Sequence, residues 1–136
     1  MIGVLIVTHH PLAEALLSTC DLILGHLDRV LAVSLDPGAA PENSRRQIAE
    51  AMAQINDGQG VLILTDMFGG TPSNISLSFL EQDRVEVVTG VNLPMVIYAL
   101  TKREGKKLRE LAQILKNSAC SNISVASEIL SAPPKG

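Results

Sequence analysis

Aromatic side chains are almost absent: two Phe, one Tyr and no Trp in 136 residues. Ring stacking on bases or sugars is therefore excluded as the main mode of recognition, and the core must be aliphatic. The net charge is −3, which argues against a nucleic-acid surface. No apolar run approaches the roughly 18 residues needed to cross a bilayer, so direct membrane insertion is not expected. Met1–Val7 lacks the basic flank and cleavage site of a secretory signal. The only cysteines, Cys20 and Cys120, have no metal-ligand spacing. They read as two buried free thiols in a reducing, cytoplasmic compartment. There is no G-x-x-x-x-G-K-[ST], and no G-x-G-x-x-G follows the first strand, so neither a nucleotide P-loop nor a dinucleotide site is expected. Neither a metal nor a cofactor is expected.

What is present is a series of short apolar runs. The most informative is Val4–His10, Val-Leu-Ile-Val-Thr-His-His. An unbroken run of this kind reads as a strand buried on both faces. Pro11 suits the first turn of a helix, in which Ala13, Leu16, Leu17, Cys20 and Leu24 share one face up to a stop at Gly25. Val30–Leu35 is a second strand, broken by Asp36-Pro37-Gly38. A helix is predicted from about Glu42 to Asp57, with Ile48, Met52 and Ile55 inside. Gly60–Thr65 is a third, central strand.

Thr71 as N-cap and Pro72 at the first helical position open another helix. It is predicted to reach Glu81, with Ile75, Phe79 and Leu80 facing inward. Val85–Thr89 is a fourth strand, and Gly90–Pro94 is a loop carrying Asn92. Helix resumes near Pro94 or Met95, and Leu108, Leu111, Ala112 and Leu115 form a later helical stripe. Asn122–Ala126 alternates weakly and reads as a fifth, edge strand. Ser131–Gly136, with Pro133-Pro134, reads as a flexible tail or linker stub. The pattern is α/β: a mainly parallel four-stranded open sheet flanked by helices, plus a C-terminal edge strand, in one domain over residues 1–130.

Parallel strands end at one edge of the sheet, where ligands bind in such folds. The first strand delivers His9 there, the second Asp36, the third Asp66, and the fourth leads to Asn92. A carboxylate on one imidazole nitrogen fixes the tautomer and leaves the other nitrogen free as a nucleophile. The turn Gly69-Gly70-Thr71-Pro72 lets backbone approach a ligand and aims a helix N-terminus at it. Together Gly69, Gly70 and Thr71 make a cradle for a phosphoryl group. Taken singly, each feature also has a plainer reading: a loop histidine, a turn-forming aspartate, a tight glycine turn. Their coincidence at one sheet edge favours the chemical one. Successive residues of an extended chain point opposite ways, so only one of His9 and His10 can face Asp66. That geometry also makes the pair a poor metal site. His26, after Gly25, reads as a solvated helix end.

At these residues the chain resembles the mannose-family IIA domain of the bacterial phosphoenolpyruvate-dependent sugar phosphotransferase system. The matching pieces are Val-Thr-His at Val7–His9, Asp-Met-Phe-Gly-Gly-Thr-Pro-Ser-Asn at Asp66–Asn74 and Gly-Val-Asn-Leu-Pro-Met at Gly90–Met95. The similarity runs from about residue 1 to 130. The resemblance implies that His9 is phosphorylated by the phosphocarrier HPr and passes the phosphoryl group to a IIB component. Asp66 would hold the ring nitrogen that is not phosphorylated, and Gly70 and Thr71 would lie beside the phosphoryl group. Met67, Phe68, Asn92, Pro94 and Met95 would surround the site as a docking surface. The resemblance also implies a homodimer in which Ile123–Ala126 pairs across the interface. One departure is that the family often has Gly after its active histidine, whereas this chain has His10 and Pro11. Two related roles share these features: a stand-alone regulatory phosphoprotein that reports phosphorylation state, and a phosphotransfer subunit of a dihydroxyacetone-kinase system.

Overall fold

The apolar runs become the strands of a four-stranded sheet in a computed structural model that describes residues 1–131. The strands are β1 (Gly3–His9), β2 (Val30–Leu35), β3 (Val61–Thr65) and β4 (Val85–Thr89). Their order is β2-β1-β3-β4, and every ladder is parallel. The helices are α1 (Leu12–Leu24), α2 (Pro41–Ile55), α3 (Thr71–Leu77), α4 (Leu93–Lys102), α5 (Leu108–Ser121) and α6 (Ala126–Leu130).

Side-chain alternation along the two central strands divides the core. Val4, Ile6, Leu62 and Leu64 pack with Ala13 and Cys20 of α1, Val96 and Ala99 of α4, and Leu111 and Leu115 of α5. Leu5, Val7, Val61 and Ile63 face the other way, onto Ile48, Ala51 and Ile55 of α2, with Ile75 and Phe79 packed beside them. A strand buried on both faces needs no polar residue at alternate positions, which is why β1 and β3 read as unbroken runs. At the edge where β1 begins, the buried Arg103 donates to the carbonyls of Ile2 (3.1 Å), Arg29 (3.0 Å) and Asp28. It ties the start of β1 to the turn before β2.

The strand order has a direct consequence for function. From β1 the chain steps outward to β2, then crosses back over β1 to β3. The order therefore reverses between β1 and β3, and such a switch point opens a crevice at the carboxyl ends of the two strands.

Several expectations are corrected. The helix expected to reach Glu81 ends at Leu77. Ser78, Phe79 and Leu80 then donate three residues back, to Ile75, Ser76 and Leu77, and this tighter winding turns Leu80 out to solvent. Cys20 is buried, but Cys120 is exposed: the inner stripe of α5 is Leu108, Leu111, Leu115 and Ala119, and Cys120 lies one residue, about 100°, off it. The fifth strand is absent among the described residues. Residues 123–125 are irregular, Ala126–Leu130 is helical, and everything from 121 to 131 is exposed. Among the described residues that segment pairs with no strand and is exposed throughout, so neither a ladder nor burial fixes an extended form. Of the tail Ser131–Gly136, residues 132–136 lie outside the described residues. Among the described residues no helix is long and apolar enough to cross a membrane.

Candidate active site

The site grows out of a length difference between two neighbouring strands. The β1–β3 ladder ends at the pair Val7↔Thr65, while β1 continues beside β2 to His9↔Leu35. The backbone N–H of His9 therefore projects beyond the end of β3 and finds no ladder carbonyl. Asp66, the first residue after β3, fills the gap: its Oδ2 accepts that N–H at 3.0 Å. The same oxygen lies 2.8 Å from His9 Nδ1, and Oδ1 accepts the N–H of Met67 at 3.0 Å. An ionised carboxylate only accepts, so Nδ1 carries the ring proton and Nε2 keeps its lone pair.

The two side chains differ in exposure, 48% for His9 and 13% for Asp66. Partial burial pushes the Asp66 carboxyl up. The hydrogen bonds from the His9 ring and backbone, with the attraction to that ring, outweigh it and hold the carboxyl below its ordinary range.

Gly70 closes the other side of the ring. A Cβ built there would lie 2.6 Å from His9 Cε1 and 3.1 Å from Nε2, so backbone occupies space that any side chain would contest. Gly69 beside it has φ 90°, a left-handed conformation that glycine adopts freely. Gly70 itself, not Thr71, is the N-cap of α3, with Thr71 and Pro72 as the first two helical residues. The Asn74 N–H closes the first turn on the Gly70 carbonyl at 2.9 Å. The expected capping role of Thr71 is thereby corrected. Among the described residues, the N–H groups of Gly70, Thr71 and Ser73 have no hydrogen-bond partner.

The other candidates separate clearly. His10 is exposed and has φ 53°; the partner of Asp66 is His9. Asp36 folds back on its own loop, accepting the Gly38 N–H at 2.9 Å. It lines, with His9, His10, Leu35, Thr71 and Pro72, a cleft of about 210 Å³. His26 pairs with exposed Asp28 at 2.9 Å. Met67 and Phe68 stand out at 55% and 71% exposure. Asn92 caps α4 by accepting the Met95 N–H at 2.9 Å, in a loop tied to the end of β3 by the bond from the Val91 N–H to the Thr65 carbonyl. Pro94 is half-buried in the first turn of α4. Met95 is corrected as a surface residue: it is only 3% exposed, because the first turn of α4 drives it into the core that α4 shares with α1 and α5. The sequence reading passes over Thr8, whose hydroxyl accepts the Ala13 N–H at 2.7 Å; a hydroxyl residue just before a strand-to-helix corner was the available signal.

Comparison with known proteins places the chain in a family. Residues 3–116 match the family described as the PTS system fructose IIA component. Over 131 residues the chain is 34% identical to the PTS system fructose-specific EIIA component of Bacillus subtilis (strain 168), covering 96% of this chain and 90% of that one. It is also 34% identical, over 104 residues, to the PTS system mannose-specific EIIAB component of Escherichia coli (strain K12), covering 76% of this chain but 32% of that longer protein. Among solved structures, the phosphotransferase system component EIIA from Streptococcus agalactiae superposes with a TM-score of 0.83 at 30% identity, covering 93% of this chain and 98% of that one. The chain belongs to the mannose–fructose family of EIIA components, and its work is that of a phosphotransferase component of the sugar phosphotransferase system.

Proposed function

We propose that this protein is a cytoplasmic phosphohistidine carrier, in which His9 accepts a phosphoryl group from phospho-HPr and passes it to a IIB component. The observation that carries this reading is the hold of Asp66 on Nδ1, which leaves Nε2 as the free ring nitrogen. In the transfer, Nε2 attacks phosphorus in line. The Nε2–P bond forms as the N–P bond of the donor histidine breaks, and the donor imidazole keeps the electron pair. Positive charge developing on the His9 ring is met by the Asp66 carboxylate. The N–H groups of Gly70 and Thr71, with the Thr71 hydroxyl and the adaptable turn at Gly69, receive the phosphoryl oxygens by electrostatic positioning. The product, a phosphoramidate, stays transferable because an imidazole hydrogen-bonded at its far nitrogen leaves readily. Exposed Met67 and Phe68 flank the site as docking side chains, and a flexible methionine suits two successive partners. Asn92, from the loop beside β3, and Pro94, from the first turn of α4, contribute to this rim.

The test is mass spectrometry of the intact protein and its peptides after incubation with phosphoenolpyruvate, Enzyme I and HPr, kept out of acid. A single acid-labile phosphoryl addition is expected in wild type and in His10→Ala, and none in His9→Ala. Loss in His10→Ala alone would move the site by one residue. No addition to wild type alongside phosphorylated HPr would end the carrier reading.

The reading extends to assembly, with residues 1–130 acting as one domain and two copies pairing. Ile123, Val125, Ile129 and Leu130 are all exposed, and β4 is an edge strand. An exposed edge is a template for another strand, so the C-terminal segment of a second copy is its natural cover. Light scattering is expected to report a dimer for wild type and a monomer for the Ile123→Asp/Val125→Asp double variant. A monomeric wild type would remove the dimer from the reading.

A further inference from the structure

We propose that Thr8 is a positioning residue for His9, acting by holding His10 in a left-handed turn at the end of β1. The inference rests on the reading of His9 as the phosphoryl acceptor. His10 has φ 53°, a conformation that L-residues with a side chain rarely adopt, so something must hold it. The next residue, Pro11, has no N–H with which to close the corner. Thr8 supplies the missing link. It is fully buried; its Oγ1 accepts the Ala13 N–H at 2.7 Å and donates to the His10 carbonyl at 3.3 Å. That carbonyl also accepts the Leu12 N–H at 2.8 Å. One hydroxyl thus joins the first turn of α1 to the residue following His9.

The direction of the His9 ring depends on this corner. On one side, Asp66 holds both the backbone N–H and Nδ1; on another, Gly70 lies against the ring edge. Neither constrains the chain leaving His9 on its carbonyl side, and the turn at His10 does. A valine at position 8 keeps the shape of threonine but leaves the Ala13 N–H without its acceptor and the His10 carbonyl with only the Leu12 N–H. His10 then relaxes toward negative φ, and the His9 backbone swings away from Asp66.

The test compares Thr8→Val, Thr8→Ser, His10→Gly and Thr8→Val/His10→Gly in the full chain. Two readouts are followed: the Nδ1–H resonance of His9 in nitrogen-edited NMR, and single-turnover phosphorylation by phospho-HPr. Thr8→Val is expected to shift or broaden that resonance and to slow phosphorylation at least about tenfold, as displacement of a positioned group does. Thr8→Ser should stay within about twofold of wild type. Glycine takes φ 53° at little cost, so in the His10→Gly background the loss caused by Thr8→Val should shrink to about threefold or less, a coupling characteristic of residues that act together. An unchanged resonance and rate in Thr8→Val, or an equal loss in both backgrounds, would overturn the proposal. If Thr8→Val does not fold, Thr8→Ala gives the same comparison. Wild type that HPr cannot phosphorylate, but whose His9 resonance still responds to Thr8→Val, would refute the carrier reading and leave the positioning role standing.

Discussion

Replacing Gly70 with alanine is expected to slow phosphorylation of His9 by at least about a hundredfold, the scale on which small displacements of a reacting group act. The fold should survive. Gly70 has φ −87°, a value open to any residue, so no backbone strain enters. The whole effect comes from the new Cβ, 2.6 Å from His9 Cε1. The atom it meets belongs to a half-exposed side chain that can rotate away, so the cost to stability should stay below about 1 kcal/mol, as for other changes outside the core. The rotation, however, takes Nδ1 off Asp66 and Nε2 away from the free N–H groups. The expected signature is a denaturation midpoint shifted by a few degrees at most with a collapsed transfer rate. A variant that transfers within threefold of wild type would mean that the ring is not confined at this edge.

Asp66→Asn should be nearly as damaging, although it changes a single atom. The carboxylate accepts at both oxygens: from the His9 N–H and Nδ1 at Oδ2, and from the Met67 N–H at Oδ1. An amide has one oxygen and one NH₂ group, so whichever way it is turned, a donor faces a donor. A loss of about 10²–10⁴ in transfer rate is expected, the range typical of acid–base and orienting groups; a loss of only about twofold would sink the role assigned to Asp66. The same carboxylate contributes to stability against acid. Its pKa in the folded protein lies below the ordinary value of 3.8, so the unfolded chain takes up the proton first as pH falls. Its contribution is therefore complete above that ordinary value and is lost as pH drops through the lower, folded one. Denaturation curves recorded between neutrality and strong acid should show this component in wild type and not in Asp66→Asn.

Much of the site could be read from the residue string because its parts follow from strand ends. The unbroken aliphatic runs before His9 and Asp66 announce central strands, and parallel strands must deliver their last residues to one edge. The strand order was not legible, since nothing in the runs themselves says that β3 lies on the far side of β1 from β2. That order is what brings His9 and Asp66 together. The choice of Gly70 over Thr71 as the α3 cap was hidden for a similar reason. Thr71 is the better cap by composition, but the His9 ring lies against position 70. Met95 and Cys120 show the limits of a local reading. Each sits on or beside an apolar helical stripe, and which way it faces depends on a helix that the sequence alone does not place. The C-terminal segment failed differently: alternation can suggest a strand, but no strand among the described residues pairs with it.

The overhang of β1 beyond β3 has a wider consequence. Because a carboxylate stands where a ladder carbonyl would otherwise sit, the reactive nitrogen is aligned by the same hydrogen-bonding geometry that aligns the sheet. Chemistry and recognition are thereby placed on separate supports. The side chains that meet a partner can vary through drift or selection, while the nucleophile keeps its aim as long as two strands stay in step. An insertion of one residue in β1 would be the opposite kind of change. It would leave the exposed Met67 and Phe68 where they are and turn the histidine to the wrong face of the sheet.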